Sequence, residues 1–142
     1  MTDKKMQLDI VSVKSQVYSG ETIFIQATGS QGELGIYPGH TALITSIKPG
    51  QVITKDLAGE EHVFFIAGGV MEIQPHAVTI LSDTAIRADD LDEASALMIK
   101  EKAEKALADQ DSEFAYSAAL SDFAVAAAQL KSIEELRKRT KK

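Results

Sequence analysis

Cysteine and tryptophan are both missing from this chain, and aromatic residues make up only 6% of it. Without cysteine the chain has no disulfide framework, no cysteine-ligated zinc site and no thiol nucleophile. Long apolar runs are missing too: the longest, residues 63–71, contains two glycines and is far too short to span a bilayer. The first residues show no apolar signal segment. We therefore expect a protein of a reducing compartment that meets a membrane only through partners.

The chain also lacks an excess of positive charge, since its net charge is −6. This balance argues against general binding of nucleic acid. The charges are unevenly distributed: acids outnumber bases by twelve to four over residues 89–135, whereas the last seven residues carry five bases and no acid. We expect an acidic segment that ends in a basic tip.

The first part of the chain, up to Ile86, has the residue pattern of β-strands. Apolar and polar residues alternate, as in residues 23–27 and 71–73. Turn signals separate these runs, among them Ser19-Gly20, Pro49-Gly50 and Gly68-Gly69. About ten short strands at this spacing predict an antiparallel β-sandwich or flattened barrel over residues 1–88. The run 63–66 is typical of a central strand buried on both faces.

From Asp89 the apolar period becomes helical. Asp90 and Glu93 resemble a capping box, which predicts a first helix over residues 91–108. Residues 109–112 break it, and a second helix is expected over residues 113–139. Its apolar stripe consists of Tyr116, Leu120, Phe123, Ala127, Leu130 and Ile133. The short connection predicts an antiparallel helical hairpin over residues 89–142, and hence an α+β fold class.

Candidate catalytic groups are sparse. His40, His62 and His76 are far apart in sequence and form no His-x-His pair, although imidazole metal ligands usually come in close pairs. No serine lies in a Gly-x-Ser-x-Gly elbow, and the glycines of residues 29–32 precede a strand rather than a helix N-terminus. We expect no catalytic residue, no metal and no enzyme activity of the chain by itself.

Residues 28–40 are the most informative part of the sequence. Four glycines and one proline frame Glu33, Leu34, Ile36 and Tyr37. Glycine permits positive φ and proline fixes φ, so this composition predicts a rigid, shaped loop. On these grounds alone, the loop is either a tight hairpin with a solvated acid or a shaped contact surface.

The string Gly32-Glu33-Leu34-Gly35-Ile36-Tyr37-Pro38-Gly39-His40 resembles a loop of the epsilon subunit of bacterial F-type ATP synthases, and the resemblance extends over essentially the whole chain. It implies a non-catalytic central-stalk (rotor) subunit of this proton-translocating complex, peripheral at the cytoplasmic face of the bacterial inner membrane. Its sandwich would bind the gamma subunit and the c-ring. Gln31, Glu33 and Leu34 would face the c-ring, and His40 would face gamma.

The resemblance also implies a regulatory role for the helices, which would leave the sandwich, extend into the alpha/beta catalytic hexamer and inhibit ATP hydrolysis. The contacts would be Lys131, Arg137, Lys138 and Arg139. Seven alanines give the second helix a high helix propensity and a shallow packing face. Because the second helix is the longer one, its end from Leu136 is expected to overhang the first, away from any core.

One family motif is incomplete. Some relatives bind ATP through Leu/Ile-Asp-x-x-Arg-Ala on the first helix and arginines on the second. Here Ser95 replaces the motif arginine, and the second helix has no arginine before Arg137. Asp92 is left as a weak remnant of a nucleotide site. Loss of the guanidinium donors predicts no tight ATP binding and no cofactor.

Two other classes of protein fit the residues alone. One is a small cupin-like metal protein, which metal analysis and His→Ala changes would identify. The other is a free-standing β-sandwich adaptor whose helical hairpin grips an unrelated partner, which co-purification would identify.

Overall fold

The computed structural model describes residues 4–108 and 113–140. In this part of the chain it contains seven strands, one 3-10 turn (Ala88–Asp90) and two helices. The strands are β1 (Met6–Ser12), β2 (Gln16–Gly29), β3 (Gly32–Ile36), β4 (Leu43–Asp56), β5 (Glu61–Gln74), β6 (Ala77–Ser82) and β7 (Ala85–Arg87), and the helices are α1 (Glu93–Ala108) and α2 (Glu113–Thr140).

The strands form one sheet that closes on itself. Their order is β1-β6-β5-β4-β2-β3, with β7 added beside β5, and β1 also pairs with β2. This second pairing turns the sheet into a flattened barrel and removes the exposed edge of β1. The pairings of the described strands are antiparallel except for β1 with β6, which is parallel. The predicted fold class is confirmed, with a parallel pair that alternation alone does not reveal.

Three strands, β2, β4 and β5, are 14 residues long and run through positions that the sequence marks as turns. Ser19-Gly20, Pro49-Gly50 and Gly68-Gly69 lie inside these strands, so the prediction of chain reversals there was wrong. The physical reason is that glycine can bend a strand without ending it. Gly68 and Gly69 have φ values of 101° and 148°. If the two halves of each long strand are counted separately, the sheet has the expected number of about ten short strands.

The interior of the barrel is the main core. Its fully buried side chains include Leu8, Ile10, Ile25, Ile36, Phe64, Met71 and Ile80. Burial of residues 63–66 on both faces is confirmed, because all four are at most 4% exposed. Phe64 and Ile66 point into the barrel, whereas Val63 lies in a second cluster on the outer face, and alternation places Phe65 on that face too. Helix α2 packs there against β4 and β5.

The two helices agree with their predicted bounds to within two residues. The N-cap of α1 differs from the prediction. Asp89 and Asp90 lie in the 3-10 turn, and Asp92 caps α1 instead. Its Oδ1 accepts a hydrogen bond from the Ser95 N–H at 3.3 Å, and its carbonyl accepts one from Ala96 N–H at 3.0 Å. A capping box at Asp90 and Glu93 was therefore wrong, since the chain stays extended for two more residues.

The buried positions of the hairpin are mostly alanines: Ala96 and Ala103 of α1, and Ala119, Ala126 and Ala128 of α2, with Ile133. The predicted stripe is correct at Ile133 but wrong at Tyr116 and Leu120, which are exposed. Small side chains allow close approach, so alanines rather than large residues mark the contact. The predicted break at residues 109–112 lies outside the described residues.

The bend at Gly69 gives a prediction for stability. A Cβ atom there would lie 2.1 Å from the Leu81 carbonyl oxygen, whereas at Gly59, with φ 87°, it would meet nothing within 4 Å. Gly59→Ala should lower the free energy of unfolding by about 1–2 kcal/mol for its left-handed backbone alone. Gly69→Ala should cost clearly more, because β5 must also move away from β6. Urea unfolding followed by circular dichroism measures both, and equal losses would contradict this account of the bend.

Candidate functional site

The tip of the β2–β3 hairpin is the first candidate surface. Gly29 pairs with Gly32, so residues 30 and 31 form a tight turn. Gln31 and Glu33 are exposed, and Glu33 accepts a hydrogen bond from Gln26 Nε2 at 3.2 Å. Leu34 instead packs against the barrel core. The predicted rigid loop is thus a tight hairpin that presents an amide and a carboxylate, while Leu34 anchors it.

The chain after β3 makes a fixed turn. The Gly39 N–H donates to the Pro75 carbonyl at 2.8 Å, and the His40 N–H donates to the Tyr37 carbonyl at 3.2 Å. His40 Nδ1 lies 2.7 Å from the Thr41 carbonyl oxygen, which it reaches as a donor. Tyr37 is 64% exposed, with its ring 4.7 Å from that of Phe24. His40 is therefore held as a half-buried turn residue beside an exposed aromatic ring.

Exposed apolar side chains that sequence patterns do not single out lie on the barrel as well. Ile44 is 70% exposed and Leu43 is 42% exposed, at the start of β4. Val13, Val70 and Leu81 are exposed around a groove of about 590 Å³ that also contains Gly68 and Gly69. Alternation treats apolar strand residues as core, so it gives no signal for such patches. They are suited to contact with other proteins.

The seam between α2 and the barrel is the second candidate surface. Leu136 packs with Leu91 against a small outer cluster of Ile53, Val63 and Ala88. The predicted overhang of Leu136 away from any core was therefore wrong. An apolar face on β4 and β5 gives this end of the helix a place to dock, which helix lengths alone do not show.

Arginines fix the same end of α2. Arg137 donates to both carboxylate oxygens of Glu93, at 2.9 and 2.6 Å, and so ties α2 to α1. This contact lowers the pKa of Glu93 and raises the pKa of Arg137. Arg139 Nε lies 3.2 Å from Glu61 Oε1 on β5, and its Nη1 donates to Glu135 Oε2 at 2.6 Å. The Nε contact is an ion pair rather than an aligned hydrogen bond.

The two lysines of the basic set behave differently. Lys138 is 62% exposed and lies 3.7–3.8 Å from Glu134 and Glu135 of its own helix, and Lys131 is exposed. The four predicted inhibitory residues therefore differ in their contacts: Arg139 is engaged across the seam, Arg137 pairs with α1, and the two lysines lie on the surface. Asp92, the predicted nucleotide remnant, caps α1 as described above, while the absence of tight ATP binding stays a prediction.

A polar cavity of about 150 Å³ borders the seam, lined by Glu61, His62, Val63, Arg87, Asp89 and Leu136. Beside it, His62 Nε2 lies 2.9 Å from Asp56 Oδ2. Ligand atoms of Asp56, Glu60 and His62 lie within 4.8 Å of one another, so the β4–β5 turn builds a group of metal-ligating type that histidine spacing does not reveal. The hydrogen bond from His62 and the backbone N–H groups of Glu60 and Ala58 lower the pKa of Asp56.

Within residues 4–108 and 113–140, neither helix has an apolar stretch of the kind needed to cross a bilayer.

Comparisons with known proteins agree with this geometry. The family model for the ATP synthase delta/epsilon chain β-sandwich domain matches residues 5–88, and the chain belongs to that family. Within it, the chain is 49% identical over 135 residues to the ATP synthase epsilon chain of Janthinobacterium sp. (strain Marseille), covering 94% of this chain and 96% of that one. The family predicted from residues 32–40 is thereby confirmed.

Two solved structures share the fold. A chain of the Euglena gracilis mitochondrial ATP synthase, in an assembly of OSCP, F1 and c-ring, superposes with a TM-score of 0.82 at 15% identity, covering 91% of this chain and 81% of that one. A chain of the Tetrahymena thermophila central stalk and c-ring gives a TM-score of 0.58 at 16% identity, covering 94% and 99%. These likenesses confirm the α+β fold.

Family membership makes the chain an epsilon-type subunit of the ATP synthase, a structural and regulatory component rather than the catalytic one. The family therefore decides between the three classes of protein considered above, in favour of the ATP synthase subunit over the cupin-like metal protein and the unrelated adaptor.

The Asp56 contact gives a prediction for the pH dependence of stability. Because its pKa is lowered below the ordinary value of 3.8, its contribution is fully present above that pH and is lost as the pH falls through the lowered value. Asp56→Asn should therefore have a lower Tm than the wild type at pH 7, and the difference should shrink as the pH falls below 3.8. Asp83→Asn, at an exposed position, is the matched control. A difference that stays constant with pH would contradict the assignment.

Proposed function

We propose that residues 1–88 are the anchoring domain of a rotor subunit, bound to gamma and the c-ring, and that residues 89–142 are a regulatory domain. The observation that carries this proposal is that α2 is held on a closed barrel by one small apolar cluster and by the Arg139–Glu61 ion pair. The barrel core does not depend on the hairpin, because its buried residues come from the strands. Such a hairpin can leave while its anchor stays folded.

The tip of the β2–β3 hairpin is suited to the c-ring. Gln31 and Glu33 are exposed on a rigid turn, and Leu34 fixes that turn to the core. A rigid carboxylate that faces basic or amide groups sets the orientation of two proteins more than it adds affinity. Coupling of rotation to ATP synthesis needs such a fixed orientation.

The face beside His40 is suited to gamma. Tyr37 and Ile44 are large, apolar and exposed near it, and exposed aromatic and aliphatic side chains supply most of the energy of protein interfaces. Through gamma and the c-ring the subunit would be peripheral at the cytoplasmic face of the bacterial inner membrane. Neither nucleic acid nor a cofactor enters this function.

The hairpin is suited to inhibition of ATP hydrolysis inside the alpha/beta hexamer. Lys131 and Lys138 are exposed already, departure of α2 from the barrel would break the pair of Arg139 with Glu61, and its departure from α1 would break the pair of Arg137 with Glu93. Departure also exposes Ile53, Val63 and Phe65 to water. Full exposure of each of these side chains costs a free energy of roughly 1.5–3 kcal/mol. The hexamer must offset this cost with comparable contacts, and a balance of a few kcal/mol then makes two states accessible.

Truncation tests the regulatory role. A chain that ends at Arg87 should still assemble with gamma and the c-ring, since it keeps the closed barrel, and ATP hydrolysis by the complex should rise severalfold. Co-purification of gamma controls for assembly, because the truncation uncovers Ile53 and Val63. Unchanged hydrolysis in a fully assembled complex would remove the inhibitory role.

The c-ring contact has its own test. Glu33→Gln should weaken attachment of the F1 part to membrane vesicles by roughly two- to fivefold, the size of one exposed ion pair. Glu60→Gln is the matched control, because Glu60 is equally exposed at the opposite end of β4 and β5. Release of F1 measured against salt concentration reports both, and equal behaviour of the two variants would remove Glu33 from the contact.

A further inference from the structure

We infer that Glu61 on the barrel and Glu93 on α1 form a latch that holds the arginines of the inhibitory segment in the docked state, and that this latch sets how often α2 is released from the barrel and from α1. The arginine latch consists of the pairs Arg137–Glu93 and Arg139–Glu61. Its consequence for hydrolysis rests on the proposed function, whereas its effect on docking does not.

The geometry shows why these contacts act as a latch. The two arginines follow Leu136 in sequence, one and three residues after it, and contact different elements: Arg137 reaches the first residue of α1, and Arg139 reaches the first residue of β5. Leu136 fills the apolar cluster between these contacts. One turn of α2 is thus held by an apolar side chain and two charge pairs at once.

Because of these pairs, the arginines cannot hold α2 in the docked state and contact the catalytic hexamer at the same time. Glu93 occupies both terminal nitrogens of Arg137, so this guanidinium cannot bind a second carboxylate in the same way. Arg139 has a side chain only 22% exposed and lies between Glu61 and Glu135. The paired nitrogens of Arg137 become available to a partner only when α2 leaves α1, and Arg139 becomes available only when α2 leaves the barrel. The latch acids therefore compete with any acidic surface of the catalytic hexamer.

Lys138 shows how a basic residue of the same segment behaves when it takes no part in docking. Lys138 is adjacent to both arginines in sequence, yet its carboxylate neighbours lie on its own helix at 3.7 and 3.8 Å. Those contacts persist whether α2 is docked or released. Removing the Glu134 carboxylate should therefore leave docking unchanged, although it removes one negative charge as each latch variant does.

The docked fraction of the isolated full-length chain measures the latch directly. Ala58→Cys and Ala124→Cys place two dyes on exposed positions of the barrel and α2, and the chain has no native cysteine. In this background Glu61→Gln and Glu93→Gln should each raise the released-to-docked ratio roughly threefold, as expected for partly exposed ion pairs, and together roughly tenfold. Glu134→Gln should leave the ratio unchanged.

Two further experiments test whether charge pairing itself holds α2 in place. The charge exchange Glu61→Arg with Arg139→Glu should restore docking relative to Glu61→Gln when both are made with Glu135→Gln, which keeps the new carboxylate from facing Glu135. Salt at about 1 M should release the wild type more than the double variant, because salt screens the pairs. Unchanged docking in both latch variants, or an equal effect of Glu134→Gln, would overturn the latch.

The same variants in the assembled complex separate this inference from the proposed function. If the latch variants release the hairpin and lower ATP hydrolysis, both stand. If they release the hairpin and hydrolysis does not change, the latch stands and the inhibitory role fails. If the hairpin stays docked, the latch fails whatever hydrolysis does.

Discussion

The outer face of β4 and β5 must be covered, and the rest of the architecture follows from this constraint. Ile53 and Val63 line that face, and Phe65 beside them is fully buried, so bare exposure would cost several times the energy of any single ion pair on the surface. In the structure α2 provides the cover. A barrel with one apolar outer face can therefore bind its own helix, and it becomes incomplete when that helix leaves.

This constraint changes how the alanine-rich hairpin is understood. Alanines give the helices a high intrinsic propensity and a shallow contact with each other, which alone would suggest weak attachment. The attachment to the barrel depends instead on Leu136 and on Arg139, three residues after it, while Arg137 ties α2 to α1. Apolar contact gives most of the docking energy, while charge pairs adjust it, and the same charges are those proposed to act in the hexamer. Docking and inhibition thus draw on one short segment.

Much of the fold could be predicted from the sequence, because local patterns determine it. The continuous apolar run at residues 63–66 indicated a strand buried on both faces, and the change of period at Asp89 indicated the hairpin. Long-range facts could not be predicted in this way. The parallel pairing of β1 with β6, the contact of Leu136 with the barrel and the pairing of Arg137 with Glu93 join residues far apart in the chain. Glycines such as Gly69 were misjudged because the same residue can end a strand or bend it.

The accessibility of the covered face tests the central claim most directly. With Val63→Cys as the single thiol, the labelling rate of the free chain should be at least about tenfold below that of Leu57→Cys, since Val63 is 4% exposed and Leu57 is 53% exposed. In the assembled synthase, labelling of Val63→Cys should accelerate when hydrolysis is inhibited. A thiol at residue 63 that is equally slow in every state of the complex would contradict release of α2 from the barrel.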